Sequence, residues 1–197
     1  MKSIYLDNEQ LFALRQNLTD GEWLALWVAS ETGLRIGDVV SLPRCQIAHN
    51  RILYRAKKTG KPGKAPISSE LYEALTVHIR PAVSPWLFPS PYKLGRHLTR
   101  QAVWARVKKA CVRAGIDPAG ISPHSFRKHF AVELFKRSGL KATQAALQHD
   151  RAATTEIYAL SDFSTGNNAN LPLLRRDLPM IIELVSASVY SRMKKDT

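Results

Sequence analysis

One stretch departs from the helical pattern of this chain and limits what the rest can fold into. From Arg51 to Ile67 the sequence reads RILYRA, strand-like, then KKTGKPGK, a turn rich in Gly and Pro, then API, which briefly resumes the strand. That order predicts a basic β-hairpin with Lys57 and Lys58 at its tip or mouth. On both sides of it apolar residues recur at spacings of three and four, the mark of amphipathic helices. Two lysines beside a Gly turn are usually solvated, so the hairpin constrains the fold before it says anything about chemistry.

The helices can be placed by their caps. Asp7 followed three residues later by Gln10 forms a capping-box pattern ahead of Leu11, Phe12 and Leu14. Asp20 is expected to cap a second helix, GEWLALWVASET, with Trp23, Leu24, Leu26, Trp27 and Val28 in the core and Gly33 as its stop. Arg35 follows that stop and opens a short helix, RIGDVVSL, that ends at Pro43, so it stands where two packed helices meet. Ser68 and Ser69 can cap SELYEALTVHIR, and the Pro-rich SPWLFPSPYKLG reads as an ordered surface connection. Thr99 caps RQAVWARVKKACVRA, closed by Gly115. There Val103, Trp104, Val107 and Val112 are expected to form the buried stripe, with Arg100, Arg106, Lys108, Lys109 and Arg113 on a phosphate-facing surface.

Ser122 as cap and Pro123 as first residue start a helix carrying His124 and Arg127 on one face, since side chains at i and i+3 are neighbours. Phe130, Val132, Leu134 and Phe135 supply its buried side, and Gly139 ends it. KATQAALQ and AATTEIYAL read as two short helices around His149, Asp150 and Arg151. After the linker-like SDFSTGNNAN, a last helix from Leu178 to Met193 carries Met180, Ile181, Ile182, Leu184, Val185 and Val189. That is more apolar surface than a free tail exposes, so it folds back or docks on a neighbour.

Charge narrows the partners. The segment from Val39 to Ile116 holds 15 Lys and Arg against Glu70 and Glu73, a surplus equal to the net +13 of the whole chain. A concentrated basic surface is suited to a polyanion, although charge alone does not separate DNA, RNA and an anionic membrane. No apolar run reaches the roughly 18 residues of a membrane span, and MKSIYLDNEQ lacks a secretory core, so the chain is read as cytoplasmic. Cys45 and Cys111 belong to no metal-spaced cluster, which argues against a disulfide scaffold or a zinc site.

Taken singly, the polar residues say little. Arg35 reads as well as a helix-end cap, His124 and His149 as surface or core histidines, and Tyr158 as packed beside Ile157 and Leu160. Their order is the informative part: T-G-L-R at Thr32 to Arg35, K-K-T-G in the hairpin, P-H-S-F-R at Pro123 to Arg127, and His149 with Tyr158 nine residues on. From about Leu6 to Leu160 this resembles the catalytic domain of the tyrosine recombinases, the phage integrase family. The resemblance implies a mainly α fold with a small antiparallel β-sheet (α+β), in agreement with one hairpin among helices. It implies cleavage and rejoining of double-stranded DNA through a phosphotyrosine, with no metal and no small-molecule cofactor, by a protein that self-associates as a tetramer on DNA. A type IB topoisomerase-like enzyme, or a DNA-binding regulator that no longer cuts, are the other readings of the same residues.

Residue by residue, the resemblance matches Arg35 and Arg127 to a clamp on the scissile phosphate and Lys58, or its neighbour Lys57, to the acid that protonates the leaving oxygen. It matches His124 to the group that takes the tyrosine proton, His149 to a phosphate hydrogen-bond donor, Tyr158 to the nucleophile, and Asp38 to a support that orients an arginine or histidine. Gln148 stands where the family commonly has Gly. The expected organisation is a catalytic domain over residues 1–165 and a tail over 166–197 that packs in trans, without the separate helical DNA-binding domain that family members commonly place first. His78, His97 and His129 match no catalytic position.

Overall fold

Thr19, not Asp20, begins the second helix. Two cap-type residues stand side by side, and only Thr19 has a Glu three residues on; its hydroxyl accepts from the Glu22 N–H, and the Glu22 carboxylate accepts from the Thr19 N–H at 3.0 Å. In this computed structural model the described residues are 3–57, 60–79 and 84–147. They comprise α1 (Asn8–Gln16), α2 (Asp20–Thr32), α3 (Ile36–Val39), β1 (Ile47–Ala48), β2 (Arg51–Arg55), β3 (Pro62–Pro66), α4 (Ser69–Ile79), α5 (Arg100–Arg113) and α6 (Pro123–Ala146). The fold is mainly α with a small sheet, as expected. The last helix placed between Leu178 and Met193 lies outside the described residues.

The core is organised around α2. Trp23, Leu24, Ala25, Leu26, Val28 and Ala29 are all buried, so this helix is apolar on nearly every side and must be surrounded. It packs against α3, α4 and α6, while α5 packs on α1 and α6. The deepest anchor from α6 is Phe126, fully buried and edge-on to Trp23 at 6.4 Å between ring centroids. A buried side chain of that size contributes about 1.5–3 kcal/mol. The expected apolar side of α6 omitted it: Ala131 and Val132 are buried, whereas Phe130, Leu134 and Phe135 are only half-buried. At Gly139 (φ 73°, ψ −176°) α6 breaks into two helical segments, which is where the sequence placed a stop.

Among the described residues the sheet is antiparallel with order β1-β2-β3, one strand more than the hairpin foreseen. Strand β3 also starts earlier, at Pro62, pairing with Arg55, so the turn is tighter than KKTGKPGK suggested. Ile52, Tyr54 and Ala65 face the core. The connection after α4 is ordered where described: Pro43 bridges Trp86 and Pro89 bridges His97. Among the described residues no helix is long and apolar enough to cross a membrane, and Cys45 and Cys111 are both unpaired.

Candidate active site

The site begins with the turn that closes α2. Thr32 donates from Oγ1 to the Val28 carbonyl and accepts the Leu34 N–H at 3.2 Å, while Gly33 takes the left-handed conformation (φ 68°) as C-cap. The chain reverses there, and Arg35 becomes the N-terminal flanking residue of α3. The packing leaves no room for a side chain at Gly33: a Cβ would lie 2.4 Å from the Phe130 ring and 3.1 Å from Leu147.

Arg127 reaches the same turn from α6. The residue is 8% exposed, and its guanidinium donates from Nη1 to the Gly33 carbonyl and from Nη2 to the Leu147 carbonyl at 3.3 Å. It is therefore oriented by the end of α2 and by the residue that closes α6. One turn earlier His124 is exposed, on a helix start built by Pro123 at its first position and by Ser125, whose hydroxyl accepts the Ser122 N–H at 3.2 Å.

The hairpin is tied in by Asp38. The residue is 7% exposed, and its carboxylate accepts the Lys57 backbone N–H at 3.1 Å, fixing the exit of β2 beside α3. Asp38 was expected to orient an arginine or histidine; the contact seen here holds the Lys57 backbone.

These groups line one cleft of about 620 Å³, with Arg35, Asp38, Lys57, His124 and Arg127 joined by Arg100, Gln101 and Trp104 of α5. Four cationic side chains face it against one buried carboxylate. Preorganised guanidiniums of this kind bind the oxygens of a phosphate through charge-assisted hydrogen bonds. Among the described residues no group of three His, Cys, Asp or Glu is placed to hold a metal ion. Lys58, His149 and Tyr158, expected at this site, lie outside the described residues.

Helix α5 keeps half of its expected stripe, Val103 and Val107. Val103, Val107, Ala110 and Cys111 form its buried stripe, whereas Trp104 is 50% and Val112 68% exposed. Its basic residues also divide. Arg106 is paired with Glu22 at 2.9 Å, so its charge ties α5 to the start of α2. Arg44 likewise donates to the carbonyls of Ile79 and Ser84, and Arg55 to that of Gly60. Part of the basic surplus thus holds backbone.

Residues 5–165 match the phage integrase family. Among curated proteins the chain is 40% identical over 134 residues to tyrosine recombinase XerD of Rhizobium meliloti (strain 1021), an overlap of 64% of this chain and 43% of that protein. It is 35% identical over 137 residues to tyrosine recombinase XerC of Erythrobacter litoralis (strain HTCC2594), covering 66% and 43%. The chain spans about half the length of the curated relatives it matches. Among solved structures, XerA recombinase superposes with a TM-score of 0.68 at 21% identity over 86% of this chain and 67% of that one. The lambda integrase catalytic core does so with 0.62 at 20% identity, over 75% and 92%. The fold is that of a tyrosine recombinase catalytic domain. The chain belongs to the phage integrase family.

Proposed function

We propose that this chain is the catalytic part of a site-specific recombinase that cuts and rejoins double-stranded DNA through a 3′-phosphotyrosyl intermediate. The observation that carries the reading is the single cleft shared by Arg35, Arg127, His124 and the hairpin residue Lys57. Those groups come from the start of α3, from α6 and from the hairpin turn, and their cationic and imidazole chemistry fits phosphoryl transfer to a phenol.

In this reading Tyr158 attacks the scissile phosphorus through Oη, and the bond to the 5′ oxygen breaks. A phenol with an ordinary pKa of about 10 is mostly protonated at neutral pH, so His124 takes its proton. Arg35 and Arg127 hold the non-bridging oxygens as charge builds on them, and His149 adds a hydrogen bond. Lys58 delivers a proton to the departing 5′ oxygen, with Lys57 beside it held through Asp38. Rejoining is the reverse, by the 5′ hydroxyl of a partner strand. The phosphodiester's energy is kept in the protein–DNA bond, so neither step consumes a nucleotide.

The names of the relatives, tyrosine recombinases XerD and XerC, support the activity. A lambda integrase tetramer bound to a Holliday junction is among the similar solved structures, which supports assembly of this chain on DNA. Residues 166–197 are then a tail suited to packing in trans, and the protein's place of work is the nucleoid in the cytoplasm. The test is a duplex selected for binding by this protein and nicked to trap the intermediate. An adduct resistant to SDS is expected, formed without magnesium and lost in Tyr158→Phe. An adduct that survives that substitution refutes the assignment of the nucleophile.

A further inference from the structure

Helix α5 carries an aromatic residue where the cleft opens. A lone exposed apolar side chain is ordinary on a protein surface. Trp104 is distinguished by its neighbours: half of its surface is exposed, and it lines the same cleft as Arg35, Arg100, His124 and Arg127. Arg100, Trp104 and Lys108 are spaced four residues apart, which places them in a row along one side of the helix at roughly 6 Å intervals. The Lys108 ammonium lies over the Trp104 ring, 5.4 Å from its centroid, and donates to the Pro118 carbonyl. It is therefore held on the indole instead of ranging through solvent.

The surroundings select the occupant. From Ala74 to Ile116 the sequence contains no Asp or Glu; the carboxylates nearest the row are Asp38 in the cleft and Asp117, which lines a pocket with Lys108, so basic groups outnumber acids along it. An indole between two cations suits a polymer that alternates apolar and anionic groups at short intervals, as a sugar–phosphate backbone does.

We propose that Trp104 and Lys108 dock the DNA strand next to the reacting phosphate, the indole against the apolar face of a deoxyribose and the ammonium on the adjoining phosphate. The proposal rests on the reading of the cleft as a DNA-cleaving site. It makes Trp104 a positioning residue whose contact is independent of base sequence.

The test uses the full chain and a short mixed-sequence duplex, with binding followed by tryptophan emission and by a salt series. Trp104→Phe is expected to keep most of the affinity and to lose the emission change that binding causes in the unmodified chain, because Trp23, Trp27 and Trp86 remain in place. Trp104→Ala is expected to weaken binding about 5- to 10-fold with an unchanged salt slope. Lys108→Gln is expected to lower the slope of log affinity against log salt by about one. Trp104 is half exposed, so both Trp104 variants should melt like the unmodified chain. Equal affinity and an equal emission change in unmodified and variant chains overturn the proposal while leaving the cleft reading intact. Normal duplex binding by Trp104→Ala with lost self-association overturns it in favour of a protein contact. Failure of the unmodified chain to bind any duplex overturns both.

Discussion

Gly33→Ala tests how tightly the fold and the site are joined. The substitution acts twice. The backbone at φ 68° lies in the left-handed region, which costs an L-residue about 1–2 kcal/mol. The new Cβ would also stand 2.4 Å from Phe130 Cδ1, 2.5 Å from its Cε1 and 3.1 Å from Leu147 Cδ2. Such contacts force α2 and α6 apart or swing the ring, and overpacking of this kind costs about 1–3 kcal/mol more. The expected loss is about 2–5 kcal/mol, measured by urea unfolding at equilibrium. Gly115→Ala is the control, since its φ of 69° is equivalent but nothing lies within 4 Å of the added methyl; it should lose only the backbone part. In the Phe130→Ala background the cost of Gly33→Ala should fall toward that of Gly115→Ala, because the clashing ring is gone. The Gly33 carbonyl accepts from Arg127, so the displaced backbone should also weaken phosphate binding, whereas Gly115→Ala should not. Equal losses at Gly33 and Gly115 would refute the packing argument.

Thr19→Ala should cost about 1 kcal/mol of stability by removing the α2 cap, while Asp20→Ala should cost no cap; the reverse result in urea titrations would return the cap to Asp20. Asp38→Ala leaves the Lys57 N–H without its acceptor and should cost about 1–3 kcal/mol, with faster amide exchange at Lys57 as its local signature. Acid should destabilise the fold through His129 and His78, both pushed below the ordinary imidazole range by burial. His129 packs on Tyr5 and meets the Leu6 carbonyl at 3.0 Å, with Glu133, Lys136 and Arg137 nearby. A lowered folded pKa means the unfolded chain binds more protons below about pH 6.5, so stability should fall as pH drops through that value and level off above it. His129→Gln should flatten that fall between about pH 7.5 and 5.5, and an unchanged slope would remove His129 from the account.

Local signals were readable and distant ones were not. The Asp7 box with Gln10, the Gly33 stop, the Thr99 cap and Pro123 at its helix start all depend on residues within four positions, and the structure has each of them. The cap of α2 is Thr19 and not the expected Asp20, because only Thr19 has a Glu three residues on. Along α5 Val103 and Val107 are buried as expected, but hydrophobicity also gave Trp104 and Val112 to the core, where the small residues Ala110 and Cys111 stand instead. Strand β1 has two residues, too few for any alternation to show. Phe126 sits inside P-H-S-F-R between the polar His124 and Arg127, and its place at the centre of the core depends on Trp23, more than 100 residues away. Of the candidate site, Arg35, His124 and Arg127 were named from residue order, and the cleft brings all three together. What no local pattern gives is the company they keep: Arg100 and Trp104 from α5, and the Asp38 hold on the hairpin.

Arg127 shows why those partners escape a reading of spacing alone. Its two carbonyl acceptors, Gly33 and Leu147, lie 94 and 20 residues away, and each is available only because a helix has just ended there. A helix leaves its last carbonyls without internal partners, and a guanidinium with donors in a rigid fork can serve two such ends at once. Serving them orients the side chain before any ligand arrives, which lowers the entropy that phosphate binding must overcome. The same contacts fasten α2 to α6 across the position where Phe130 and Leu147 close on Gly33. Packing of the core and aim of the guanidinium are thus set by one junction, and the glycine there is required by both.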